Sequence, residues 1–285
     1  MKDWIYKTQA GFEVGILEIG DLNSDKVIFY CHGYPGCRLE ASFAEKFAEK
    51  KHLRIIILDR AGYGNSTYFT DRKICDFPAV VKEVADSLAL KTFSILAVSG
   101  GTPYGLSCAY AIPERLDQVI VVSGVSPLKD NKVFQGMNFA NKILFKVGSI
   151  SPFCVGGLIS LIGYLWMKNK SFKFLWLKAF MSRSDKEVLK HKKNNSFIDK
   201  VNEEAFKQGI RGPKKDFELL CGDWGFDLSK IDFPVNIFHG DSDCYVPLAM
   251  GQYNTEHLNN ATLTVIPNEG HLLIVNHLDD ILSKF

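Results

Sequence analysis

The sequence predicts an α/β fold, with a mostly parallel sheet, helices on both of its faces and an inserted helical segment. Short β-branched runs alternate with longer helical patterns: KVIFYCHG, a helix near Ala41 to Lys51, LRIIILDR, a helix from Pro78 to Leu90, then TFSILAVS. Strand, helix, strand is the rhythm of a parallel sheet. The strands are nearly continuous apolar runs, as expected where helices cover both faces. The rhythm stops after DQVIVVSG for about a hundred residues of Phe-, Leu- and Lys-rich text and resumes at FPVNIFHG.

The remaining elements follow the same logic. GFEVGILEIG alternates apolar and polar residues more cleanly and is expected as an antiparallel edge strand. A helix over Pro103 to Ala111 follows TFSILAVS. A helix near Leu248 to Leu258, the strand ATLTVIP and a final helix from about His271 to Lys284 complete the series. The simplest organisation is one core, residues 1–127 and 231–285, interrupted by a helical cap over 128–230. No internal repeat is visible.

Composition narrows the function classes. With 285 residues, 46% hydrophobic and 23% charged, the chain can bury a large core, and disorder is excluded. The net charge of +2 gives no reason to expect nucleic acid. The charge is uneven: residues 128–230 carry 19 Lys/Arg against 10 Asp/Glu, and the rest 15 against 22. A solvated helical surface explains the basic insert, which is also a candidate for weak contact with a membrane surface. The start, MKDWIYKTQAGFEVG, lacks a secretory pattern, so residence in the cytoplasm is expected, as a monomer or homodimer. Seven cysteines without a C-x-x-C pair indicate neither a disulfide framework nor a zinc site, and Cys31 and Cys37 read as small buried hydrophobes. Val147 to Met167 is uncharged over a membrane-spanning length, but Pro152, Gly156 and Gly157 interrupt it, which favours a buried helix.

Two loops carry chemistry. At the end of TFSILAVS stands Ala97-Val98-Ser99-Gly100-Gly101-Thr102-Pro103, a serine at a strand end with small residues on both sides before a helix. A nucleophile turn is sharp, and the residues two before and two after the serine must be small; here they are Ala97 and Gly101. The Gly100 amide and the helix dipole would both favour negative charge beside Ser99. After KVIFYC comes His32-Gly33-Tyr34-Pro35-Gly36, a tight loop whose Tyr34 amide is the candidate second donor to an oxyanion, with His32, Gly33 and Gly36 supporting it.

H-G-x-P-G here, D-x-x-G-x-G-x-S at Asp59 to Ser66, the Ser99 turn, H-G-x-x-D-x-x-V-P at His239 to Pro247 and G-H at Gly270-His271 occur in an order that resembles the α/β-hydrolase superfamily. The resemblance spans nearly the whole chain and is to the capped branch of esterases, lactonases, perhydrolases and proline iminopeptidases. It implies the α/β-hydrolase fold and a serine hydrolase that needs no metal or cofactor. Ser99 would be the nucleophile, His271 the base and Asp243, rather than Asp241, the acid that orients it. Haloalkane dehalogenase and epoxide hydrolase activities would need an aspartate in place of Ser99. Cleavage of a carboxylic ester or lactone of a small apolar or aromatic substrate ranks first. A ligand sensor on the same fold and an aminopeptidase of the proline iminopeptidase kind are the alternatives. In the cap, Phe139, Phe145, Phe153, Leu158, Leu161, Tyr164, Trp166, Phe174, Trp176 and Phe180 are expected to supply both the cap's own core and a few pocket contacts.

Overall fold

Among the residues that the computed structural model describes, 1–168, 181–190 and 192–285, eight strands form one sheet. They are β1 (Lys2–Lys7), β2 (Glu13–Gly20), β3 (Val27–Cys31), β4 (Arg54–Leu58), β5 (Phe93–Val98), β6 (Leu116–Val122), β7 (Val235–Gly240) and β8 (Ala261–Ile266), in the order β1-β2-β4-β3-β5-β6-β7-β8. β2 is antiparallel to both its neighbours, and all pairs from β4 to β8 are parallel. Because β3 lies between β4 and β5, the chain winds outward first to one side and then to the other. The carboxyl ends of β3 and β5 flank that reversal, where open α/β sheets bind ligands. The register pairs Cys31 with Ala97, so the HGYPG loop and the Ser99 turn leave the sheet side by side.

Alternation along each strand builds a core on each face. Phe29, Ile56, Ile95 and Val121 pack beneath the helices α2 (Phe77–Ser87) and α3 (Thr102–Ala111) on one side. Ile28, Ile57, Leu96 and Ile120 meet Ala44, Ala48 and Leu273 on the other. Ala48 belongs to α1 (Glu45–Lys50), which follows a 3-10 turn over Arg38–Ala44. Cys31, Cys37, Cys108 and Cys221 are buried and unpaired. Burial pushes the Cys31 thiol up to about 12, so it packs as a small apolar group.

Two sequence expectations need correction. GFEVGILEIG is antiparallel but is not the edge, because β1 covers it, and seven of the eight β2 residues are buried. Glu18 in β2 explains the cover: it is itself buried, pairs with Arg54 and accepts the Trp4 indole N–H at 2.8 Å. The final helix does not start at His271, which lies in a turn, and the Asp185 carboxylate accepts the amides of His271 and Leu272 at 3.1 and 2.7 Å. The helix is instead split at His277 into Leu273–Asn276 and Leu278–Leu282.

Between β6 and β7 lie α4 (Phe139–Ile150), α5 (Pro152–Lys168), α6 (Arg183–Lys190), α7 (Lys192–Ala205) and α8 (Arg211–Cys221), as far as the residues are described. The long uncharged run of the sequence is thus divided at Ser151 between two helices, and among the described residues no helix is long and apolar enough to cross a membrane. One fully buried cluster ties α8 to the sheet. Asp216 accepts from Arg60 Nη2 at 2.7 Å, Arg72 Nη1 at 3.2 Å, Tyr63 at 3.0 Å and Tyr104 at 2.5 Å. Burial works against ionisation of Asp216, yet the two guanidinium charges and the hydrogen bonds hold its pKa below the usual carboxylate range. Asp216→Ala would leave two arginines unpaired in the interior, and urea unfolding should show a loss of about 3–5 kcal/mol. A depressed pKa contributes stability above the ordinary carboxylate value that is lost as pH falls through the folded value, so Asp216→Asn should flatten the acid side of the wild-type stability curve.

Candidate active site

Ser99 directly follows β5 with φ of +52°, a left-handed conformation that costs an ordinary residue about 1–3 kcal/mol and persists only where its surroundings over-determine it. Here they do. Its carbonyl accepts from Thr102 Oγ1 at 2.8 Å and from the Val125 amide at 3.3 Å, which locks the turn from both sides. A side chain at Gly101 would collide with the Cys31 carbonyl, and one at Gly100 would lie 2.6 Å from Tyr34 Cβ. The small residues at these positions therefore let the turn press against the HGYPG loop. A 3-10 turn over Ser99–Gly101 leads into α3, so the helix points its amino end at Ser99.

In the facing loop the His32 ring is fully buried. Its Nδ1 donates to the Gly33 carbonyl at 3.0 Å, and its Nε2 accepts the Arg60 amide at 3.2 Å. Burial, reinforced by the Arg60 charge, keeps the ring neutral by lowering its pKa well below the usual value. Arg60 also donates to the His32 and Gly33 carbonyls, which links the loop to Asp216. The Tyr34 amide has no hydrogen-bond partner among the described residues. It lies 3.1 Å from where a Cβ on Gly100 would be, so the Tyr34 and Gly100 backbones adjoin.

Asp243 and His271 come together across the ends of β7 and β8. His271 Nδ1 donates to Asp243 Oδ2 at 2.8 Å, and Asp243 Oδ1 accepts the amides of Tyr245 and Val246 at 2.9 Å each. Asp241 instead takes the Ser242 hydroxyl and the Asn268 amide on the exposed surface. Burial pulls the His271 pKa down, but the charge and hydrogen bond of Asp243, with the charges of Asp185 and Glu40, more than offset it and leave the pKa raised.

Ser99, Gly100, Gly33, Tyr34 and His271 all line one cavity of about 340 Å³, within the range of small-molecule sites. Among the described residues the Ser99 side chain makes no hydrogen bond, so the structure brings Ser99 and His271 to one space without joining them. Gly36 lies outside the lining, packed on Glu40 and His32 Nδ1. The walls are largely apolar. Of the aromatic and aliphatic residues anticipated in the insert, Phe145 lines the cavity, whereas Phe139 and Phe153 are 74% and 80% exposed and Leu161 and Tyr164 face solvent. Phe174, Trp176 and Phe180 lie outside the described residues, as does the side chain of Trp166.

Three site residues escaped the sequence reading. Asp185 had a signal: Ser182-Arg183-Ser184-Asp185 is a helix-start pattern, and Asp185 exchanges hydrogen bonds with Ser182 while holding the His271 turn. Asp216 is a charge among the apolar positions Phe217 and Leu220 of one helix face. Glu40, four residues after Gly36, had no local signal.

A family model described as the alpha/beta hydrolase fold matches residues 26–146. An uncharacterized hydrolase, YcgS, of Bacillus subtilis is 24% identical over 274 residues, covering 92% of this chain and 90% of its own. Among solved structures, an esterase from Exiguobacterium antarcticum superposes with a TM-score of 0.71 at 16% identity, covering 99% of this chain and 97% of that one. An enol-lactonase from Burkholderia xenovorans gives 0.71 at 13% identity, with 99% and 97% covered. With the observed strand order and the turn at Ser99, these likenesses identify the chain as an α/β-hydrolase-fold protein.

Proposed function

We propose that this protein is a serine hydrolase that cleaves a carboxylic ester or lactone of a small apolar or aromatic substrate through an acyl-enzyme on Ser99. The observation that carries the reading is the Asp243–His271 hydrogen bond of 2.8 Å, whose histidine lines the same cavity as Ser99. A carboxylate at Nδ1 fixes the tautomer with a free Nε2, the form a general base needs. His271 would take the Ser99 proton as the hydroxyl attacks the carbonyl, and Asp243 would stabilise the imidazolium. The proton then passes to the leaving alkoxide. Water activated by His271 would release the acid and regenerate Ser99. The adjoining amides of Tyr34 and Gly100 would hold the oxyanion of each tetrahedral intermediate, each donor worth about 3 kcal/mol.

Residues 128–230 would act as the cap that selects substrate. Leu144, Phe145, Ile159, Phe217 and Leu220 give the cavity apolar walls that suit an acyl or aromatic group. The esterase and lactonase among the similar structures carry chemistry of this class on the same fold.

A serine-directed phosphonate followed by peptide mass spectrometry should label Ser99, and Ser99→Ala should lose both labelling and turnover of short nitrophenyl esters. Label on another serine, or retained turnover, would overturn the reading. Because the base must be neutral and the His271 pKa is raised, kcat/KM should fall on acidification with a midpoint above the ordinary histidine value. Asp243→Asn should move that midpoint to lower pH and reduce kcat by about 10³–10⁴-fold. An unmoved midpoint would separate His271 from the reaction.

A further inference from the structure

Glu40 is a carboxyl inside the cavity that the proposed reaction does not use. It sits in the 3-10 turn that follows the HGYPG loop and lines the same space as Ser99 and His271. Its Oε1 accepts the Gly33 amide at 2.8 Å and the Tyr30 hydroxyl at 3.0 Å, while Oε2 has no hydrogen-bond partner among the described residues. A Cβ on Gly33 would lie 3.4 Å from both Glu40 oxygens and 3.6 Å from Ser99 Cβ, so the carboxyl and the serine face each other across one glycine. Burying a carboxyl in largely apolar walls is costly, and here the hydrogen bonds from Gly33 and Tyr30 offset part of that cost.

We propose that Glu40 is a positioning residue, which holds the oxyanion loop through the Gly33 amide and sets a negative charge facing the His271 imidazole. This rests on the serine-hydrolase reading. The hydrogen bond occupies the Gly33 N–H and orients the following peptide, leaving the Tyr34 amide free beside Gly100. The charge acts on the same step from the other side. When His271 accepts the Ser99 proton, a carboxylate across the cavity stabilises the cation that forms, in addition to Asp243.

Tyr30, Arg60 and His271 act on Glu40: burial raises its pKa above the usual carboxylate value, and those neighbours, with the Gly33 amide, pull the other way. Asp243, Asp185 and Glu40 act on His271, all raising its pKa against burial. Removing the charge of Glu40 while keeping its shape must therefore lower the His271 pKa.

Glu40→Gln and Glu40→Ala, assayed on a nitrophenyl ester across pH with phosphonate labelling alongside, test this. Glutamine keeps an acceptor for Gly33 and Tyr30 but no charge. Its kcat/KM midpoint should move to lower pH, with KM within about twofold of wild type. Alanine loses the anchor as well, and kcat should fall by about tenfold or more, as when an oxyanion donor is misplaced, with glutamine restoring most of it. An unmoved midpoint in Glu40→Gln, or unchanged kcat in Glu40→Ala, overturns the proposal. If Glu40→Ala does not fold, the glutamine pH profile alone decides. Failure of wild-type Ser99 to take the phosphonate would instead sink the serine-hydrolase reading.

Discussion

The close approach of two backbone turns, with Gly101 against the Cys31 carbonyl, is the constraint on which the rest of the site depends. It follows from parallel pairing of β3 and β5 at the point where the sheet reverses direction. The two turns emerge so near each other that residues with side chains at Gly100 and Gly101 would force them apart. The positive φ of Ser99 completes the geometry, since it turns the chain sharply from strand into helix and leaves the serine at the cavity wall. The conformational cost is met by the Thr102 and Val125 contacts to the Ser99 carbonyl, so a stable core supports a strained residue.

Buried charge extends that constraint outward. Arg60 reaches the His32 and Gly33 carbonyls on one side and Asp216 on the other, so a single guanidinium connects the loop facing Ser99 to an inserted helix. Buried ion pairs often contribute little net stability compared with apolar packing, and here the pair also fixes the geometry of a loop. In this protein the specified object is the peptide between Gly33 and Tyr34. Arg60 donates to the carbonyl of that peptide, and Glu40 accepts the Gly33 N–H of the peptide just before it. Asp185 extends the pattern to His271, because its carboxylate fixes the turn on which that residue sits.

How far the sequence revealed this architecture varied with the range of the interaction that decides each element. Continuous apolar runs such as KVIFYC and TFSILAV announced buried parallel strands, because both faces of a covered sheet are apolar. The turn at Ser99 was legible because its steric rule is local: Ala97 and Gly101 are small within a short window. Asp243 and His271 were singled out by the resemblance of their motifs, which also ranked Asp243 above Asp241, and the fold brings Asp243 to the His271 ring while Asp241 bonds elsewhere. Long-range features were hidden. β1 went unread since its pairing partner defines it, and KDWIYK has little burial of its own. Glu40 and Asp216 are ordinary charges in helical text, and they acquire meaning only when a loop and a distant helix close around them. The apolar insert misled for a related reason: composition does not reveal which helix face turns inward, and Phe139 and Phe153 face outward while Phe145 and Phe217 line the cavity.

A crystal structure of the protein inactivated by an aryl phosphonate would show whether the two turns form one acyl-transfer site. Phosphorus should be bonded to Ser99 Oγ, with the phosphonyl oxygen within about 2.7–3.1 Å of the Tyr34 and Gly100 amide nitrogens and His271 Nε2 turned toward the adduct. An adduct oxygen pointing away from both amides, or an imidazole out of reach of the modified serine, would contradict it.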